Sequence, residues 1–194
     1  AIHLIPTHQE TMTSEQNHHA HDSENRHVLN FCPHCGAELT SREAFGRTRR
    51  YCPRCERIIF RQHKIAAGLL LTDNAGRVLL VQRAWRPHRG DWTLPAGFVD
   101  YDEAPINAAI RETREETGLE AEVSGIVDVV AGREHPHGAD IVIVYRGRIT
   151  GGELIAGDDA TAARFFAPNA LPTLAFQATS RALECWRAES EAGL

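Results

Sequence analysis

The sequence predicts an α/β (α+β) sandwich preceded by a small cysteine-held unit. Three observations predict it. Short apolar runs of strand length alternate with two amphipathic helical stretches from residue 63 onward. Turn residues separate those runs at regular intervals. Four of the five cysteines fall in two Cys-x-x-Cys pairs between residues 31 and 62.

Residues 1–30 come first. They are polar, carry six of the eleven histidines, and show neither a helical nor a strand period. They read as a disordered tail, and the cluster His18, His19, His21 as part of it, with adventitious metal binding the alternative. They lack a basic start followed by an apolar core, so no secretory signal is expected. No apolar run reaches membrane-spanning length. A cytoplasmic location is the expectation.

Residues 31–62 follow. The pairs Cys32-Pro-His-Cys35 and Cys52-Pro-Arg-Cys55 are separated by sixteen residues, which is zinc-site spacing. Each pair can turn two thiolates toward one tetrahedral ion. The segment is too short for a core of its own, so a structural zinc would supply its folding energy. Four cysteines close the coordination shell, which argues against a catalytic zinc, and two pairs at this spacing argue against a redox pair. Cys185 stands alone and reads as a buried or inert thiol. Arg42, Arg47, Arg49, Arg50, Arg54, Arg57 and Arg61 make the segment basic. They are read as a solvated face or a contact with the more acidic remainder, with nucleic-acid or partner binding by this unit as the alternative. The chain's net charge of −5 gives no reason to expect broad nucleic-acid binding.

Residues 63–194 carry the main domain. Ile65–Thr72 is a predicted strand, Asp73–Gly76 a turn, and Arg77–Arg83 its hairpin partner. Pro95 to Gly97 marks a loop. A helix is predicted from Ala104 to Thr117, stopped by Gly118. Val123–Ala131 and Ile141–Ile149 are further strands, Gly151-Gly152 a turn, and Ala162–Ala167 a short strand. Thr179–Ser190 is a second helix with Leu183 and Trp186 on one face.

The first helix poses a chemical problem. Ile106, Ala109, Ile110, Thr113 and Thr117 form the expected buried stripe. Pro105 suits the first turn. Glu112, Glu115 and Glu116 share another face at i, i+3 and i+4, where like charges cost roughly 0.2–0.5 kcal/mol per pair. They also lie at the negative end of the helix dipole, which costs roughly 0.3–1 kcal/mol each. Arg111 and Arg114 offset part of this. A bound divalent cation would explain the rest, because clustered carboxylates are hard ligands suited to magnesium or manganese.

The spacing around the helix is specific. Gly97, then Glu103, then Arg111-Glu112-Thr113-Arg114-Glu115-Glu116-Thr117-Gly118-Leu119 resembles the Nudix box, G-x₅-E-x₇-R-E-U-x-E-E-x-G-U, where U is aliphatic. Only Thr113 departs from it. Trp92–Val99 is also similar to the family, which more often has Gly where Ala96 stands. The resemblance implies an α/β/α sandwich with a mixed sheet, here preceded by a small zinc ribbon. That pairing is similar to a subgroup of ADP-ribose, FAD and NADH pyrophosphatases.

The resemblance implies a hydrolase that cleaves the diphosphate of a nucleoside diphosphate derivative. Glu112, Glu115 and Glu116 would hold Mg²⁺ or Mn²⁺, with the Gly97 carbonyl as a further ligand. Arg111 would pair with Glu103. Glu115 or Glu116 would be the base. Asp159 is the candidate for a further loop acid, with Glu134 the alternative. Arg83 is a candidate contact for a substrate phosphate, and His135 and His137 lie in a loop near the expected mouth. The NADH-type motif is absent from Ala131–Gly138, so ADP-ribose-like compounds rank first and FAD second. A non-catalytic ligand sensor would be expected to have a decayed box. A small nucleotide is the expected partner, and the resemblance leaves monomer and homodimer both open.

Overall fold

The computed structural model describes residues 29–192, apart from Arg133, Pro136, His137 and the side chains of residues 189–192. The expected tail, with its histidines, lies almost wholly outside the described residues. The chain divides into two compact units between Gln62 and His63.

The first unit is a three-stranded antiparallel sheet of β1 (Thr40–Ala44), β2 (Arg47–Cys52) and β3 (Arg57–Ile59), in that order. Its small core is Cys32, Leu39 and Cys52, flanked by Cys35, Ala37, Cys55 and Ile59. The first cysteine pair sits in a turn closed by Gly36 N–H on the Cys32 carbonyl at 2.9 Å. Gly36 has φ of +71°, a conformation side chains avoid.

The second unit places two sheets between two helices. One is a mixed sheet, β7 (Ala96–Phe98), β4 (Ile65–Leu70), β9 (Ile141–Gly152) and β8 (Leu119–Ala131), with β4 parallel to β9. The other is antiparallel, β10 (Ala160–Phe166), β5 (Val78–Arg83) and β6 (Trp92–Thr93). The helices are α1 (Pro105–Thr117) and α2 (Gln177–Ala192).

Strand alternation explains the two cores. Leu69, Leu71 and Leu79 point to the side where Ala108 and Ala109 of α1 pack. Leu70, Val78 and Leu80 point to the other side, onto Ala182, Leu183 and Trp186 of α2. The sequence therefore shows near-continuous apolar runs, because both faces of these strands are buried.

Several boundaries differ from expectation. Of the stretch read as a loop, Pro95 to Gly97, the last two residues belong to β7, whose backbone pairs with β4. The Gly151-Gly152 turn is the end of β9, where Gly152 opposes Leu119. The buried stripe of α1 is also rotated. Ile106 is exposed, and the buried residues are Ala108, Ala109, Thr113, Glu116 and Thr117. Small residues let the helix lie close to β4, and the aliphatic Ile106 is left outside.

Candidate active site

Helix α1 starts after Ala104, which makes no side-chain cap, and Pro105 occupies its first turn. It ends at Gly118 in the left-handed conformation, with the Gly118 N–H on the Arg114 carbonyl at 2.8 Å. A Cβ at Gly118 would stand 2.5 Å from the Glu153 carbonyl oxygen. Thr113 explains its own departure from an aliphatic residue. It is fully buried, but its hydroxyl donates to the Ala109 carbonyl at 2.8 Å.

The three glutamates lie in different environments. Glu116 is 6% exposed, and its Oε2 accepts the Ala96 N–H at 3.0 Å. Burial pushes its carboxyl up to about 8, and the Asp159 and Glu112 charges add to this. The Ala96 N–H and Arg83 pull the other way. Glu112 is half-buried and also shifted upward, by burial first, against the pull of Arg111. Glu115 is exposed. The expected common face turned away from the core thus holds for Glu115 and fails for Glu116.

Gly97 carries a steric requirement. A Cβ there would lie 2.0–2.4 Å from the Glu112 carboxylate atoms. Only glycine lets that carboxylate rest on the β7 backbone. A similar accommodation allows Ala96. A Cβ on Gly68 of β4 would stand 2.8 Å from the Ala96 Cβ.

Arg111 organises the charges. Its Nη2 donates to Glu103 Oε1 at 2.6 Å and to the Phe98 carbonyl at 3.1 Å. Its Nη1 donates to Glu112 at 2.7 Å and Glu115 at 2.9 Å. The Arg111 hydrogen bond holds Glu103 below the usual carboxylate range, helped by the Asp100 N–H. The Glu103–Arg111 pair implied by the box is present and ties the loop to the helix.

The loop after β9 docks on the end of α1. The Ile155 N–H reaches the Thr117 carbonyl at 2.9 Å, and the Gly157 N–H reaches that of Glu116 at 3.1 Å. This brings two aspartates to the glutamates. Glu112, Glu115 and Asp158 offer carboxylate oxygens within 4.8 Å of one another. The sequence reading missed Asp158. Its neighbour Asp159 is near enough to raise both Glu112 and Glu116. The available signal was Gly157, where a Cβ would meet the Glu115 carbonyl at 2.6 Å.

The other candidates are placed as follows. Arg83 lies over the Phe176 ring at 4.8 Å and donates to the Pro87 carbonyl at 3.0 Å. The Ala84 N–H beside it donates to the Asp159 carbonyl at 2.8 Å. The Glu134 carboxylate accepts the Gln177 N–H at 3.0 and 3.1 Å, so it serves the start of α2. His135 lines a cavity of about 710 Å³ with Arg86, Pro87, His88 and Arg89. His137 is outside the described residues.

The donor set fits a hard divalent cation. It offers oxygen atoms only, with several negative charges and an exposed side. In the first unit the four cysteine sulfurs also lie within 4.8 Å of one another. Cys32 and Cys55 sulfurs are 3.9 Å apart, and Cys35 and Cys52 are 3.5 Å apart. Four thiolates about 2.3 Å from a tetrahedral ion stand about 3.8 Å apart, so the cluster fits zinc. Against the cost of burial, the His34 and Cys35 N–H groups bring the Cys32 thiol down to about 7. Cys55 is pushed up to about 12, first by its hydrogen bond with Cys35 and then by burial. Cys185 is a free, partly buried thiol.

A box-bearing loop and helix laid on a mixed sheet between two helices define a Nudix-fold domain. The NUDIX domain family model matches residues 62–186, and the chain belongs to the Nudix hydrolase family. The ADP-ribose pyrophosphatase of Methanocaldococcus jannaschii is 43% identical over 110 residues, 56% of this chain and 64% of that protein. The chain thus matches a little under two thirds of that relative's length. The NAD-capped RNA hydrolase NudC of Pseudomonas aeruginosa is 24% identical over 76% of this chain and 51% of its own. A crystal structure of a Nudix hydrolase from Nitrosomonas europaea is 30% identical with a TM-score of 0.73. The likeness covers 85% of this chain and 94% of that one, more than residues 63–194 alone could supply. Among the described residues, no helix is long and apolar enough to cross a membrane.

Proposed function

We propose that the protein is a magnesium- or manganese-dependent pyrophosphohydrolase that cleaves the diphosphate of a nucleoside diphosphate derivative. ADP-ribose-like compounds are the first choice and FAD the second. The observation that carries this reading is the convergence of Glu112, Glu115 and Asp158, with Glu116 buried behind them. A cytoplasmic enzyme with one structural zinc in residues 31–62 completes the reading.

Glu112, Glu115, Glu116 and Asp158 would hold the cation, with the Gly97 carbonyl as a further ligand. When bound, the cation neutralises diphosphate charge and makes water more acidic. Arg111, braced by Glu103, aims the Glu112 and Glu115 carboxylates. Asp159 adds negative charge on the loop side, and Arg83 would meet a substrate phosphate. Glu115 or Glu116 takes the proton from the attacking water. The 43% identity to an ADP-ribose pyrophosphatase supports the substrate ranking.

The test is a hydrolysis screen with Mg²⁺ over ADP-ribose, FAD, NADH, diadenosine polyphosphates and nucleoside triphosphates. ADP-ribose should show the highest kcat/KM. Glu115→Gln and Glu116→Gln should each cost about 100-fold or more in kcat, the usual scale for losing a general base. Unchanged turnover in both variants would remove the catalytic assignment of these glutamates, and no turnover of any of these substrates by the wild type would favour a ligand sensor.

A further inference from the structure

The Nudix reading leaves the surface of the first unit without a role. Arg42 on β1 stands directly opposite Arg49 on β2. Like charges so placed weaken an antiparallel pair. Each guanidinium instead lies over an aromatic ring. Arg42 is 4.9 Å from the Tyr51 centroid, and Arg49 is 5.1 Å from Phe60 and 5.9 Å from Phe45. Arg49 Nε also donates to the Ala44 carbonyl at 3.1 Å, which fixes its plane beside the hairpin turn.

The two phenylalanines are stacked yet face solvent. Their rings are 6.3 Å apart and inclined by 24°, while Phe45 is 77% exposed and Phe60 56%. Phe45 occupies the turn with φ of +53°, an unfavourable position for a bulky residue. Folding alone would place Asn or Gly there. The surrounding charge is one-sided. Residues 31–62 hold seven arginines against Glu38, Glu43 and Glu56, in a chain of net charge −5. Glu43 is engaged by the Thr48 hydroxyl, and Arg50 is committed to the Leu29 and Leu39 carbonyls. Arg47, Arg54, Arg57 and Arg61 are exposed.

We propose that this arginine–aromatic face binds single-stranded nucleic acid. Exposed rings held flat by guanidinium planes offer stacking surfaces to unpaired bases, and the nearby arginines neutralise the phosphates between them. A duplex keeps its bases stacked and cannot use the rings. The net charge averages over a segregated distribution, and the basic excess lies in residues 31–62. None of its residues belongs to the Nudix site, so the two readings stand or fall separately.

The experiment uses the full zinc-loaded chain and fluorescence anisotropy. The probes are labelled single strands of about twelve uridines or thymidines and a duplex of equal length. Either single strand should bind about tenfold or more tighter than the duplex. F45A/F60A should weaken single-strand binding about tenfold or more, with zinc content and pyrophosphatase turnover unchanged. Should that variant lose zinc, F45L/F60L keeps the apolar bulk, removes the ring planes, and should show the same loss. R47Q/R54Q, at exposed arginines that lie over no ring among the described residues, should lower the salt slope of binding by about one to two. No single-strand binding at low salt overturns the proposal. So does equal affinity for the duplex that the phenylalanine variants leave unchanged. Sedimentation showing that F45A/F60A splits a dimer while oligonucleotide binding is unaltered would assign the face to contact between copies instead.

Discussion

Among the described residues, two clusters of metal-ligating side chains are built on opposite plans. Four thiols close on one another at the edge of a small core, in a unit with little apolar mass. The carboxylates gather on a helix whose other face is already packed against a full sheet, and one side of their cluster stays open. The difference separates two physical cases. Where the ligands make up much of the core, a bound metal would be a folding requirement. Where the core exists without them, the fold can bear the cost of clustered charge, as the proposed chemistry would require.

That contrast is broken most severely by Cys32→Ser/Cys52→Ser. Structural zinc sites contribute on the order of 10–16 kcal/mol of apparent binding energy, more than a unit this small can replace. The variant should lose one zinc per chain by elemental analysis. Hydrogen exchange should show the amides of β1, β2 and β3 unprotected, with those of β4, β5 and β9 still slow. Protected ribbon strands in a zinc-free protein would mean that the thiol cluster is not what holds the unit.

A smaller effect separates glycines of the two regions. Gly97→Ala would drive a Cβ into the Glu112 carboxylate. It should cost about 100-fold in kcat, about 2.7 kcal/mol of barrier, with only a modest fall in Tm. Gly36→Ala meets nothing within 4 Å but must hold φ of +71°. It should cost about 1 kcal/mol in stability of the first unit and leave turnover alone. Equal kinetic effects from both would show that Gly97 matters only for folding.

Much of the site was legible because charge spacing on a helix is a local property. The acidic face of the helix could be read from the sequence alone, and the resemblance to the Nudix box added Glu103, Arg111 and Gly97. The four cysteines were legible for the same reason, since a metal knuckle is two residues wide. The unseen parts depend on distant backbone. Asp158 reaches the glutamates only because the loop after β9 hydrogen-bonds to the end of α1. Glu134 reads equally well as a catalytic acid until α2 begins above it. The burial of Glu116 depends on how α1 is rotated, and the apolar Ile106 pointed the wrong way. Phe45 and Phe60 look like core residues in sequence, and only the hairpin turn shows that they are outside.

The subtlest test concerns the electrostatic cost that the fold bears at Glu116. Its carboxyl is raised to about 8, chiefly by burial, whereas an unfolded glutamate titrates near 4.5. Below about 4.5 both states are protonated and the neutral buried form contributes fully to stability. As pH rises, the unfolded chain releases its proton while the folded one keeps it. Stability therefore declines toward pH 8 and the contribution is lost above it. Without added Mg²⁺, Tm should fall by several degrees between about pH 5.5 and 8.5. Glu116→Gln should flatten that slope, because its side chain does not titrate. Mg²⁺ should raise Tm more at pH 8.5 than at pH 6, since binding to the carboxylates must displace the proton at the lower pH. A wild-type slope in Glu116→Gln would move the burden of charge to Glu112 and leave the buried glutamate with a packing role alone.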